Sequence, residues 1–313
     1  MPDSAAGERR AHLPWREAVA AREFPAVVAT DLDGTLLRAD GTVSPYTLQV
    51  LERYVAAGGE YVLVTARPPR WLRPLAHVVP AGGVVLAGNG AFVVDVEAER
   101  VVATHGFATP EVVPLLAELV AAFPEAMVAV ETTERMVHAD RHGADYWQDP
   151  GEAVADLAAW AGAHCEREVI GKVLVRALWT DSRAAYDAVG EVVGARGTLA
   201  YSGAPGLVEI GPPGVTKAGA LASWCLERGV AAPQVWAFGD MPNDLPMLGW
   251  AGTAYAVANA HPDVLAAATA VAPHHQEDGV AQVVAAALGR RSGTETGRHA
   301  RAPEGGVDSR PSR

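Results

Sequence analysis

The sequence predicts an α/β fold: a doubly wound, Rossmann-like parallel sheet interrupted by an inserted α+β domain. Three observations lead there. Over residues 24–90 short apolar runs alternate with helix-period segments, the grammar of a parallel sheet covered on both faces. Between 91 and 206 the pattern changes to strands of alternating polarity, some paired as hairpins, with helices among them. From 207 to 289 the first pattern resumes. The expected division is a flexible tail at 1–23, a core built from 24–90 and 207–289, an insert at 91–206, and a disordered tail at 290–313.

Taken in order, residues 1–23 hold enough for a helical turn or two (WREAVAAREF) but nothing that demands packing. Val27, Val28 and Ala29 form a short apolar run that reads as a buried strand. The run stops at Thr30 and delivers Asp31 and Asp33 into a turn made possible by Gly34. Ser44 as N-cap and Pro45 at the first helical position open a helix with apolar Leu48, Leu51 and Val55, which Gly58-Gly59 stops. EYVLV is a second strand, ending at Thr65. Pro68-Pro69 opens a helix through His77, and GGVVLAGNG is a third strand running into Gly88-Asn89-Gly90.

In the insert, AMVAVE and RMVHA pair around Thr132–Glu134, GKVLVRALW is a strand, and helices are expected near 110–123, 151–163 and 181–193. After LVEIG at 207–211 come a helix over Thr216–Arg228, the strand QVWAF ending at Gly239-Asp240, the strands TAYAV and AVAP, and the helix GVAQVVAAAL. Residues 290–313 are polar, rich in Gly and Pro, and lack a hydrophobic period, which predicts disorder.

Composition narrows the function. The chain has 313 residues, enough for a full core and a second domain. Net charge is −12 and no basic run exceeds Arg-Arg, which argues against nucleic acid and anionic membrane as partners. No apolar stretch approaches a membrane span, and the charged first 25 residues contain no signal-peptide apolar region. Cys165 and Cys225 stand far apart in no metal-ligand spacing, as expected of reduced thiols in a cytoplasmic protein. Of 25 basic residues only Lys172 and Lys217 are lysine. Where arginine serves nearly everywhere else, a retained lysine points to a site wanting a compact ammonium.

Four polar clusters stand where strands end or a helix begins: Asp31/Asp33, Thr65, Lys217, and Asp240/Asn243/Asp244. Ligands of an open parallel sheet bind beyond the carboxyl ends of its strands, so three of these clusters should converge. Lys217 lies in a first helical turn, where backbone N–H groups also attract anions. Two carboxylates at the end of a buried strand need a cation between them, and Mg²⁺ is a hard ion that bridges carboxylate to phosphate. Each cluster alone has a plainer explanation: an Asp-rich turn, a turn threonine, a solvated lysine, and a helix start capped by Asp240 or Asn243. Their order along one chain is what outweighs those explanations.

The chain resembles the haloacid dehalogenase (HAD) superfamily, in its Cof-like phosphatase subgroup with a C2-type cap inserted between the second and third motifs. The matching stretches are DLDGTLL at 31–37, VTAR at 64–67, GVTKAGAL at 214–221 and FGDMPNDLPML at 238–248, with weaker matches NGA at 89–91, ANA at 258–260 and EDGVA at 277–281. Ala66 and Ala258 stand where the family usually has glycine. The resemblance implies a Mg²⁺-dependent phosphatase acting on a small phosphate ester such as a sugar phosphate.

In that scheme Asp31 is the nucleophile that forms an aspartyl-phosphate and Asp33 the general acid and base. Mg²⁺ is held by the Asp31 carboxylate, the Asp33 backbone carbonyl and Asp240. Leu32, Thr65, Ala66, Lys217 and Asn243 bind phosphate, and Asp244 orients Lys217 or a metal-bound water. The insert closes over the site as a cap, with Lys172 a candidate for substrate selection and Arg141, His142, Tyr146 and Trp147 looser ones. His274-His275 resembles a metal pair only superficially. A sugar phosphomutase of the same fold and a phospho-accepting receiver domain are the competing readings; Asp33 and the long insert count against the receiver.

Overall fold

The structure is a computed structural model that describes residues 13–140, 151–179 and 182–299. In chain order its strands begin with β1 (Leu13–Pro14), β2 (Val27–Thr30), β3 (Glu60–Val64), β4 (Val85–Ala87), β5 (Phe92–Asp95) and β6 (Arg100–Thr104). There follow β7 (Met127–Thr132), β8 (Met136–Ala139), β9 (Glu152–Val154), β10 (Ile170–Arg176), β11 (Thr198–Ala200) and β12 (Leu207–Gly211). The last are β13 (Val235–Gly239), β14 (Thr253–Val257) and β15 (Ala270–Ala272).

They form two sheets. A nine-stranded sheet has the order β1-β15-β14-β13-β2-β3-β4-β5-β6, and a six-stranded one the order β11-β12-β10-β7-β8-β9. Each has its own hydrophobic core. In the larger sheet every pairing from β1 to β4 is parallel, and β5 and β6 add an antiparallel edge. Its central strands β2 and β13 are buried at every residue, as apolar runs flanked by helices on both faces must be.

Parallel pairing sets the site. β13, β2 and β3 are neighbours, with Phe238 level with Thr30 and Thr30 level with Leu63. The next residues, Gly239-Asp240, Asp31 and Val64-Thr65, therefore emerge side by side at one rim, with strands about 4.8 Å apart. The chain runs from β2 to β3 on one side, while β13 joins on the other. That reversal is the switch point at which open α/β sheets bind ligands.

The smaller sheet has one face packed on helices Thr109–Ala122, Leu157–His164 and Ser182–Val193. Val128, Val130, Val173, Val175, Val208 and Ile210 belong to that helix-backed core. The alternate residues Glu131, Lys172, Leu174, Arg176, Leu207 and Glu209 line the cavity on the opposite face. A period of two thus gives each strand an apolar side and a working side.

Several boundaries differ from expectation. β5 and β6 carry the core sheet to Thr104, past residue 91, whereas β12 (LVEIG) belongs to the inserted sheet, past residue 206. An apolar pattern marks a strand but not the sheet it joins, because pairing is non-local. Within the expected N-terminal tail, residues 13–21 form β1 and a helix that buries Ala18 and Val19, and Arg290 donates to the Val19 carbonyl. The final helix runs Gly279–His299 rather than stopping at 289, so residues 290–299 are helical where disorder was expected. The segment after Pro68 forms only 3₁₀ turns, Pro69–Trp71 and Arg73–Val78; its prolines lack the N–H groups an α-helix requires. Near 151–163, residues 152–154 are a strand, and Asp156 caps a helix that starts at Leu157.

Candidate active site

The rim holds three buried carboxylates: Asp31, Asp240 and Asp244 each offer an oxygen within 4.8 Å of the others. Lys217, 1% exposed, lies between two of them, donating to Asp31 Oδ1 at 2.5 Å and to Asp244 Oδ1 at 2.7 Å. The helix Lys217–Glu227, capped by the Thr216 hydroxyl on the Gly219 N–H, aims it there. The plain reading of Lys217 as a solvated charge is excluded by that burial. Asp244 Oδ2 also accepts the N–H groups of Asp240 and Met241, each at 3.0 Å, so it braces both lysine and loop. Asp240 Oδ1 accepts the Thr35 hydroxyl at 3.0 Å.

Gly34 is required by geometry as well as by conformation. Its φ is +77°, and a Cβ there would come 2.3 Å from Asp240 Oδ2. Its carbonyl accepts from Asn259 at 2.7 Å, and Asn259 in turn accepts the His275 N–H. Asp278 takes Arg38 at 2.8 Å and the Thr47 hydroxyl at 3.2 Å. The weakly matching ANA and EDGVA stretches thus brace the first motif from behind. His274 caps the turn His275–Glu277 through Gln276, and His275 Nδ1 pairs with the Leu37 carbonyl at 2.7 Å, so both histidines have structural duties.

Asp33 is elsewhere. Its side chain is 57% exposed and is clamped by Arg67 at 2.6 and 2.7 Å, outside the buried cluster but in the same cavity. Thr65 is buried beneath, its hydroxyl accepting the Arg67 N–H at 3.1 Å. That cavity, about 560 Å³, also takes in Ala66 and Asn243. Leu32 is fully buried at the base of the turn. Lys172, 3% exposed, reaches from the inserted sheet to the Ala66 carbonyl at 2.6 Å and to Glu209 at 2.9 Å. Asn89 joins Glu209 to Asn243 by two bonds of 3.2 Å, a polar chain from insert to rim. Both lysines of this arginine-rich chain are therefore buried, Lys172 in the wall of this cavity and Lys217 against Asp31, which lines it. Arg141, His142, Tyr146 and Trp147 lie outside the described residues.

Burial and mutual repulsion dominate the electrostatics. Burial pushes the Asp31 carboxyl well above the usual carboxylate range, with Lys217 opposing and Asp244 and Asp240 adding to it. Burial, then Asp244, raises Asp240 to about 7, against the Thr35 hydrogen bond. For Lys217, burial alone would lower the pKa, but the carboxylates of Asp244 and Asp31 prevail and it is raised. Three buried carboxylates facing one ammonium leave negative charge uncompensated. The site must take up protons or a cation, and an all-oxygen donor set suits a hard divalent ion such as Mg²⁺.

A family model for haloacid dehalogenase-like hydrolases matches residues 28–284. The chain belongs to the haloacid dehalogenase-like hydrolases. This HAD-type hydrolase is similar to a 5-amino-6-(5-phospho-D-ribitylamino)uracil phosphatase of Bacillus subtilis, 29% identical over 82% of this chain and 96% of the relative. It is also similar to a pyridoxal phosphate phosphatase of Escherichia coli, 26% identical over 82% and 97%. In fold it is similar to a phosphatase of the HAD superfamily from Bacteroides thetaiotaomicron, with a TM-score of 0.71 at 23% identity over 91% and 99%. Among the described residues no helix is long and apolar enough to cross a membrane.

Arg67, Thr35, Asn89, Glu209 and Asn259 were not singled out as site residues from sequence. Arg67 and Thr35 stand inside the strongly matching motifs, and Asn89 and Asn259 inside the weaker matches NGA and ANA. Glu209 carried a signal of its own, the lone charge in the apolar strand LVEIG.

Proposed function

We infer that the protein is a Mg²⁺-dependent phosphatase that hydrolyses a small phosphate ester through an aspartyl-phosphate on Asp31. The observation behind this is Asp31 itself, a buried carboxylate fixed by Lys217 through one oxygen, at a rim shared with Asp240, Thr65 and Asn243. Its other oxygen attacks phosphorus as the ester P–O bond breaks. Lys217 and Asp244 hold the nucleophile in place, so little reorganisation accompanies the step. Thr65, Asn243 and the turn at Leu32 and Ala66 offer groups for the phosphoryl oxygens.

Asp33 gives its proton to the departing alkoxide, which requires it to leave Arg67. It then takes a proton from the water that attacks the aspartyl-phosphate, releasing phosphate and restoring Asp31. Asp31, Asp240 and the Asp33 backbone carbonyl would hold Mg²⁺, whose charge offsets carboxylate–phosphate repulsion. The inserted sheet roofs the cavity and limits access of water.

The test is phosphate release from acetyl phosphate and from a panel of phosphate esters with Mg²⁺. Turnover that a chelator stops and added Mg²⁺ restores is expected. A stable phosphoprotein without release would identify a receiver-type switch instead, and an isomerised sugar phosphate a mutase.

A further inference from the structure

We propose that Lys172 and Glu209, the buried ion pair of the inserted sheet, are positioning residues that hold the phosphate-binding groups in place from the cap side, and not contacts that select the alcohol. This rests on the phosphatase reading, in which Thr65, Ala66 and Asn243 take the phosphoryl oxygens. The pair stands on the adjacent strands β10 and β12, 3% and 5% exposed, with Lys172 Nζ 2.9 Å from Glu209 Oε1. Each partner reaches a different side of the phosphate site. Lys172 also donates to the Ala66 carbonyl at 2.6 Å. Glu209 Oε2 accepts from Asn89 Nδ2, and Asn89 Oδ1 accepts from Asn243 Nδ2, both at 3.2 Å.

The donor order along this relay is fixed at the cap end. A carboxylate only accepts, so Glu209 holds Asn89 with its NH₂ toward the cap and its oxygen toward the rim. Asn243 must then turn its own NH₂ to Asn89, and the second N–H of that group is the donor a phosphoryl oxygen would use. Asn243 Oδ1 is buried with no partner among the described residues. An unpaired buried acceptor is costly, and the amide keeps this orientation because its flip would set that oxygen against Asn89 Oδ1. On the other side, the loop at 65–67 is held through its carbonyls. Thr65 accepts the Asn89 N–H and Arg67 the Gly88 N–H, each at 2.9 Å, and Lys172 takes the Ala66 carbonyl between them. A trans peptide points its N–H opposite to its C=O, so these bonds set the direction of the Ala66 and Arg67 N–H groups.

The test measures the Ki of inorganic phosphate, and kcat and KM for acetyl phosphate and glucose 6-phosphate with Mg²⁺, in wild type, Asn89→Gly and the double variant K172M/E209L. Asn89 has a φ of +58°, which glycine adopts freely, so Asn89→Gly cuts the relay and leaves the backbone turn. The double variant removes one charge of each sign and puts apolar side chains in place of the pair, a change that buried ion pairs tolerate. In both variants the Ki of phosphate is expected to rise about tenfold, the worth of one misplaced hydrogen bond to a charged group. KM should rise alike for the two esters, with the melting temperature within a few degrees of wild type. Should the double variant not fold, Asn89→Gly decides alone. An unchanged Ki in Asn89→Gly, or a KM rise confined to glucose 6-phosphate, would overturn the proposal and leave the phosphatase reading standing. No phosphate release by wild type from either ester would remove that reading, and the proposal with it.

Discussion

Replacing Asp31 by Asn separates chemistry from folding. The two flanking carboxylates lie within 4.8 Å of Asp31, each repelling it by at least about 3.5 kcal/mol at an effective dielectric of about 20 when ionised. Lys217, at 2.5 Å, attracts it by about 7 kcal/mol on the same scale. The two repulsions offset the one attraction, and what remains is the cost of keeping a carboxylate out of water. Asn removes that cost, and its oxygen can still accept from Lys217. The metal-free variant is therefore expected to be as stable as wild type or more so, by up to about 2 kcal/mol. Its turnover should fall at least about 10³-fold, since no nucleophile is left. Urea unfolding in a chelator gives the first quantity, and phosphate release with Mg²⁺ the second. Turnover near the wild-type rate would refute the nucleophile. Destabilisation by several kcal/mol would refute the electrostatic balance.

Three further outcomes are expected. Lys217→Met strips Asp31 and Asp244 of their common cation and should cost about 3–5 kcal/mol in urea unfolding, partly recovered by adding Asp244→Asn; a loss below about 1 kcal/mol would contradict the buried pairing. Gly34→Ala places a methyl 2.3 Å from Asp240 Oδ2 at a φ of +77°, so Mg²⁺ affinity measured by calorimetry should drop at least tenfold, and unchanged affinity would exclude Asp240 as a ligand. Because the Asp240 carboxyl is raised to about 7, the metal-free fold holds its proton more tightly than the unfolded chain does. Stability in chelator should thus decline as pH rises from about 4 towards 7 and stay lower above, while Mg²⁺ affinity rises over the upper part of that window, with proton release on binding. A flat melting temperature together with pH-independent affinity would rule this out.

Read alone, the chain announces its rim residues because each follows an apolar run and backbone direction does the rest. β2, β3 and β13 are short, largely apolar segments, so their ends, and with them Asp31, Thr65 and Asp240, were legible before any coordinates. The two lysines were likewise marked by rarity. Tertiary structure alone decided that β12 pairs with the inserted sheet, that Arg67 holds Asp33 away from the carboxylate cluster, and that Lys172 spans from insert to core. Glu209, Asn89 and Asn243 lie far apart in sequence and meet only through packing. Local patterns record which face of a strand is apolar; they do not record which distant strand completes the ladder. A polar partner is named only when the chain has closed on itself.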